Sequence, residues 1–316
     1  MVRGRVMEYS NVTTVQPKVR ASKIKLSKSD KIYYTIVYTF VILATLSVLY
    51  PVIYILSASF SSGSAVTQGK VFLWPVDFST AGYKQVLQYK RVYIGYRNTI
   101  FYTVFGTFIN VMMTLICAYP LSRKGLPHRG FFTFLFTFTM LFGGGLIPTY
   151  LVVKNLKMVN TIWALMIPGA ISVYQMIITR TFFINTIPDE ILESTKIDGC
   201  DDFRFFFMFV IPLSKAVIAV ITLQYAVGHW NSYFSAFIYL SNENLYPLQV
   251  FLREILIMSQ IEAEDFTDPE TAVAIQGMRD SIKYALIVVA TVPILCVYPF
   301  LQKYFVKGVM IGSLKG

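Results

Sequence analysis

The chain has 316 residues, of which 55% are hydrophobic and only 14% charged, with a mean hydropathy of +0.57. A soluble domain carries a charged fraction near ~25%, so the composition excludes an ordinary globular protein and points to an all-α membrane protein. The net charge of +11 is not gathered into a compact basic domain with interleaved aromatics, which sets nucleic acid aside and fits contact with anionic inner-leaflet lipid.

Residues 1–31 read as a basic cytoplasmic tail, and residues 32–316 as one transmembrane domain. Crossing a bilayer takes about 20 apolar residues, and six runs meet or approach that length: 33–57, 98–122, 130–153, 158–179, 205–240 and 284–302. The first run is too long and too far from the start for a cleaved signal peptide. Lys215 interrupts the fifth run and is expected to snorkel to the inner interface. With the N-terminus inside, most of the 28 Lys and Arg residues fall in cytoplasmic segments, so both termini are expected in the cytoplasm.

Two outer connections are long. The first, 59–96, carries a helical stretch at 83–89. The second, 241–283, places Leu248, Phe251, Leu252 and Ile255 at helical spacing, which predicts an amphipathic helix on the outer surface, followed by the acidic stretch 262–270. Gly63 and Gly69 before Lys70 imitate a phosphate-binding loop. Five residues separate these glycines where four are needed, and Val71 follows the lysine. No ATP site, metal-ligand cluster or catalytic set is expected. Cys117, Cys200 and Cys296 are not placed for an outer disulfide.

Residues 190–212 stand out on the inner side. Pro188, Asp189 and Glu190 suit a first helical turn, where acids meet the positive dipole end. Ile191, Leu192 and Thr195 give that helix an apolar side, Gly199 suits the left-handed position that ends it, and Asp201 can cap a second helix through Phe203. Helix, glycine turn and helix make a sharp cytoplasmic corner. Six acids against Lys196 and Arg204, with aromatics alongside, suit partner docking better than a plain solvated loop.

The corner resembles the coupling loop of the membrane subunits of bacterial ATP-driven importers. That family's motif is Glu-Ala-Ala, three residues and Gly, then Leu-Pro ending thirteen places on. Glu193, Asp198, Gly199 and Pro212 match it, while Ser194 and Thr195 replace the alanines, Phe209 the usual Ile and Ile211 the Leu. Residues 143–172, 225–234 and 298–316 are similar to the corresponding stretches of carbohydrate importer permeases, closest to the subgroup for complex or acidic oligosaccharides. The resemblance implies a type I importer-like permease with its coupling loop at about 185–212, in the bacterial cytoplasmic membrane. Glu190, Glu193, Ser194, Thr195, Asp198, Gly199, Asp201, Phe203 and Pro212 would engage an ATP-binding subunit. It further implies a second, similar permease, two ATP-binding subunits that use the ATP and Mg, an extracellular solute-binding protein and an oligosaccharide substrate. This chain itself would hold no cofactor and hydrolyse nothing.

The segment 225–234, YAVGHWNSYF, is the candidate solute path. His229, Asn231, Ser232 and the hydroxyls of Tyr225 and Tyr233 suit sugar hydroxyls, Trp230 suits stacking on a sugar ring, and Gly228 permits close approach. An interfacial belt of Trp and Tyr explains the aromatics equally well. Gly143, Gly144 and Gly145 are read as close helix packing in preference to an unwound segment. A stand-alone secondary transporter or channel is the competing function. It normally carries acids inside its spans, and the six runs hold no Asp or Glu.

Overall fold

A computed structural model describes residues 27–260 and 269–313. The tail at 1–26, the acidic residues 261–268 and residues 314–316 lie outside the described residues. In chain order the helices are α1 (Lys28–Ser59), α2 (Gly63–Thr67), α3 (Ala81–Gln88), α4 (Lys90–Phe101), α5 (Thr107–Ser122), α6 (Arg129–Leu141), α7 (Leu146–Asn155), α8 (Trp163–Met166), α9 (Val173–Thr186) and α10 (Asp189–Ile197). They continue with α11 (Asp202–Phe205), α12 (Ile211–Leu213), α13 (Lys215–Trp230), α14 (Phe234–Tyr239), α15 (Leu248–Gln260) and α16 (Pro269–Ser313). The described residues contain no strand. The chain divides after Pro51, so the first part of α1 is a unit by itself and residues from Val52 onward form the second.

Three helical stretches are long and apolar enough to cross a membrane: Lys28–Ser59, Lys90–Ser122 and Ile275–Val297. The second joins α4 to α5 through a wide π turn at Tyr102–Gly106 and starts earlier than the apolar run, because the polar first turns of α4 continue the same helix. Two further apolar helix pairs are bent, α6 with α7 by 114° and α11–α12 with α13 by 81°.

Three expectations change here. The third run is not one straight helix: residues 143–145 are unwound, and Gly145 has φ +84°. A Cβ on Gly143 or Gly145 would meet nothing within 4 Å, so close packing is not their role within this chain. The fourth run breaks after α8, where Pro168 lacks the N–H that a continuing helix needs, and α9 then runs past it to Thr186. The fifth run bends by 81° at Ser214, between α12 and α13. Pro212, two residues earlier, lacks the N–H that would bond back into the preceding turn, and a second π turn occupies Phe206–Val210. Its last part separates as α14.

The main core lies between α5, α9, the second π turn and α13, with Met176, Phe183, Phe205, Val210 and Ile221 almost fully buried. In lipid this packing is held by dispersion and shape, since the tails outside are as apolar as leucine. A second cluster joins α3, α4, α15 and α16 through Val86, Val92, Leu248, Leu286 and Ala290. The amphipathic α15 therefore turns its apolar stripe to the rest of the subunit and not to lipid. Its apolar stripe is core, with Leu248 0% and Phe251 3% exposed. Hydrogen bonds from α4 hold its approach: Asn98 Nδ2 donates to Asn244 O (2.7 Å) and Tyr246 O (3.0 Å), and Thr99 Oγ1 accepts from Leu248 N (2.9 Å).

Candidate functional site: an exposed corner and a packed stripe

The corner folds as its residues dictate. Pro188 stands at the cap position before α10, and Asp189 and Glu190 occupy its first turn. Gly199 adopts φ +77°, a region that costs a side-chain-bearing residue about 1–2 kcal/mol. Asp201 Oδ1 accepts the Arg204 N–H at 2.7 Å and caps α11.

The two sides of α10 differ sharply. Ile191 and Leu192 pack against the main core and Thr195 is buried. Glu190, Glu193, Ser194 and Ile197 fall at helical spacing on the other side and are exposed. Asp198, Gly199, Asp201, Asp202 and Phe203 continue that exposed surface. Ile197 is 86% exposed and Phe203 78% exposed. Two large apolar side chains this open among acids form a face that none of the described residues covers. Pro212, on α12 just before the bend, is exposed. Ile197 is the residue that sequence reasoning missed. Its signal was present, an apolar residue on the acidic face of α10.

A cavity of about 600 Å³ lies behind the corner, lined by Tyr119, Arg123, the 124–127 loop, Asp189, Leu192 and Glu193. Arg123, at the end of α5, has its guanidinium 5.2 Å from the Tyr119 ring and 5.7 Å from that of Phe205. It reaches Asp189 at 3.6 Å, and Lys124 reaches the same carboxylate at 2.9 Å. The hydrogen bond from Lys124 holds the Asp189 carboxyl below the usual carboxylate range, and the same bond raises the lysine. The first residue of α10 is thus tied electrostatically to the end of α5.

The segment 225–234 splits into two faces. Tyr225 OH lies 2.7 Å from Thr114 Oγ1 and accepts the Ser172 N–H at 3.0 Å. One turn on, His229 Nε2 lies 2.6 Å from Asn110 Oδ1, and Asn110 Nδ2 donates to Gly169 O at 2.7 Å. Tyr225 and His229 on α13, and Asn110 and Thr114 on α5, are spaced four apart, so two matched rungs join the helices to the 169–172 loop. Trp230 is 6% exposed, donates from Nε1 to Ala290 O at 3.0 Å and meets the Tyr96 ring edge-on. In this conformation Tyr225, His229 and Trp230 are thus engaged within the subunit. Gly228, Asn231 and Tyr233 are exposed.

Bent and interrupted apolar helices around a packed helical core define a polytopic α-helical membrane protein. No family model matches the chain. It is 41% identical over 287 residues to the polygalacturonan/rhamnogalacturonan transport system permease protein YtcP of Bacillus subtilis strain 168, across 91% of this chain and 99% of that one. Protein LplC of the same organism is 42% identical over 266 residues, covering 84% and 89%. A chain in the crystal structure of a bacterial ABC transporter involved in the import of the acidic polysaccharide alginate matches with a TM-score of 0.80 at 36% identity, covering 89% of this chain and 99% of that one. The chain belongs to the family of membrane-spanning permease subunits of ABC carbohydrate importers. That membership supports transport over the stand-alone alternative.

Proposed function

We propose that this chain forms half of the translocation pathway of an oligosaccharide importer, driven by an ATP-binding subunit docked on the corner at Asp189–Phe203. The observation that carries the reading is the open face of α10, where Glu190, Glu193 and Ser194 surround Ile197 at 86% exposure and Phe203 stands at 78%. An acidic surface with two apolar anchors suits a cleft with basic walls and an apolar floor. ATP and Mg belong to that partner. Two such subunits, a second, similar permease and an extracellular solute-binding protein complete the assembly.

The mechanism is rigid-body movement. Closure of the ATP-binding subunits displaces α10. Its Asp189 drags the end of α5 through Lys124 and Arg123, while its inner side, packed on the main core, carries α9 and α13. In the bacterial cytoplasmic membrane the three long helices and the two bent pairs would supply five crossings, and the fourth apolar run, broken at Pro168 and continued by α9, would supply the sixth that returns both termini to the inside.

Relatives named for polygalacturonan, rhamnogalacturonan and alginate point to acidic, plant- or alga-type oligosaccharides as the substrate class. Purifying the tagged chain from its host in mild detergent tests the reading. A second permease and a nucleotide-binding subunit should accompany it, and oligogalacturonate presented with the binding protein should raise ATPase. A lone chain without ATPase would overturn it.

A further inference from the structure

Gln224 sits near the middle of α13, and its side chain is exposed although its neighbours Leu223 and Tyr225 are buried. Its carbonyl oxygen accepts a hydrogen bond from Gln175 Nε2 on α9. Gln175 is 6% exposed, and its own Oε1 has no hydrogen-bond partner. The Gln224 NH2 is also without a partner among the described residues. Two amides in an apolar helix pair therefore satisfy each other only in part. Polar groups at this depth persist where they face a water-filled cavity or another polar group.

Position adds to chemistry. Gln175 stands in the first turn of α9, immediately after the non-helical stretch that interrupts the fourth apolar run. Discontinuous helices in transport proteins place such turns at the solute. Along α13, Gln224, Gly228 and Asn231 fall at i, i+4 and i+7, so they share one exposed face. A Cβ at Gly228 would meet nothing within 4 Å, which leaves an open dent between two amides. Asn231 donates one amide N–H to Val227 O at 3.0 Å, and its oxygen has no partner among the described residues. This is a different face of α13 from that of Tyr225, His229 and Trp230.

We propose that Gln224, backed by Gln175, is a hydrogen-bonding station for a polyhydroxylated solute inside the translocation path. The inference rests on the permease reading above. A side-chain amide donates and accepts at once, as a sugar hydroxyl does, so the pair matches hydroxyls in either orientation. The amide protons also serve the carboxylate of a uronic acid. The exposed residues of this face are uncharged, so a passing acidic sugar meets no fixed ion that would hold it. Gln175 is the positioning residue: its bond to the Gln224 oxygen turns the Gln224 NH2 outward.

The test uses the transporter assembled with its co-purified subunits in lipid vesicles, with digalacturonate, trigalacturonate and an alginate disaccharide as uptake probes. Q224L should lower uptake about tenfold, the equivalent of about 1.4 kcal/mol, with subunit composition and thermal midpoint unchanged. Q224N, which keeps an amide, should recover most of the rate, and Q175L should raise KM more than it lowers kcat. Unchanged uptake in Q224L overturns the proposal. So does loss of the second permease from Q224L, which would make this face a subunit interface. In a chain whose three natural cysteines are replaced, Q224C should react with a charged, membrane-impermeant thiol reagent, and transported sugar should slow the reaction. Reaction with an apolar maleimide alone overturns the water-filled face. Failure of the wild-type transporter to take up or respond to any of the probes would sink the oligosaccharide reading, and labelling by the charged reagent would still decide whether Gln224 faces water.

Discussion

The corner at 188–203 and the C-terminal half of α13 are both rich in polar and aromatic side chains, and they use them in opposite ways. At the corner the polar and apolar groups point out of the subunit, with Ile197 and Phe203 largely open. Along α13, Tyr225, His229 and Trp230 turn inward and bond to Thr114, Asn110 and Ala290. In the first region an open surface is left, which the proposed docking would cover. In the second, helices are locked to one another. The lesson is that a cluster of hydrogen-bonding side chains in a membrane segment signals function only after its internal partners are counted.

The sharpest break of that comparison is Trp230→Ala. Loss of a buried indole and of its bond to Ala290 O should cost about 3–5 kcal/mol and lower the thermal midpoint of the purified subunit. A stable variant that merely transports poorly would return Trp230 to the solute path. Asn110→Ala removes a hydrogen bond to Gly169 O and strands His229, a loss of about 1–3 kcal/mol. Combined with His229→Ala the costs should not add, which a double-mutant cycle on unfolding would show.

Gly199→Val forces a β-branched residue to φ +77° at about 1–2 kcal/mol, and it acts on the corner alone. Membrane insertion should be normal and sugar-stimulated ATPase lost. Full stimulation would remove the corner from the mechanism. Asp201→Ala, which deletes the cap of α11, should cost about 1 kcal/mol and weaken stimulation in part.

The smallest effect is on pH. Asp189 has a lowered pKa, so its bridge to Lys124 is fully present above the ordinary carboxylate range and is lost as pH falls through the depressed value. Lys124 is raised, so its share persists below the ordinary lysine range and is lost only as pH rises through the elevated value. Coupling efficiency should stay flat from about pH 5 to 9 at this bridge, as ATPase per sugar transported would reveal. A step near neutrality would point to another group.

The corner was legible in the sequence because its determinants are local. Pro188, Gly199 and Asp201 each act within four residues, and helical spacing alone separates Ile191, Leu192 and Thr195 from the acidic side. Apolar runs located most of the membrane helices, but not their breaks. The bend at 143–145 and the interruption after Pro168 depend on how the chain folds back, and a run of hydropathy carries no sign of direction. The amphipathic pattern of α15 was equally plain, yet the same stripe serves a bilayer surface or a protein core, and only Val86, Leu286 and Ala290 from distant segments decide which. The fate of Tyr225, His229 and Trp230 rested on partners more than 50 residues away. Gln224 went unremarked because nothing local distinguishes a free amide from a satisfied one.

The central claim is that the open face of the corner docks the ATP-binding subunit, and Phe203→Asp tests it most directly. The exchange places a charge where a 78% exposed ring stands, and within the subunit it gives up the contact with the Phe207 ring at 5.7 Å while the buried core stays as it is. Co-purification from the native host should recover the nucleotide-binding subunit with the wild-type chain and lose most of it with the variant, while the second permease still accompanies both. Equal recovery of the nucleotide-binding subunit with the two chains would contradict the account.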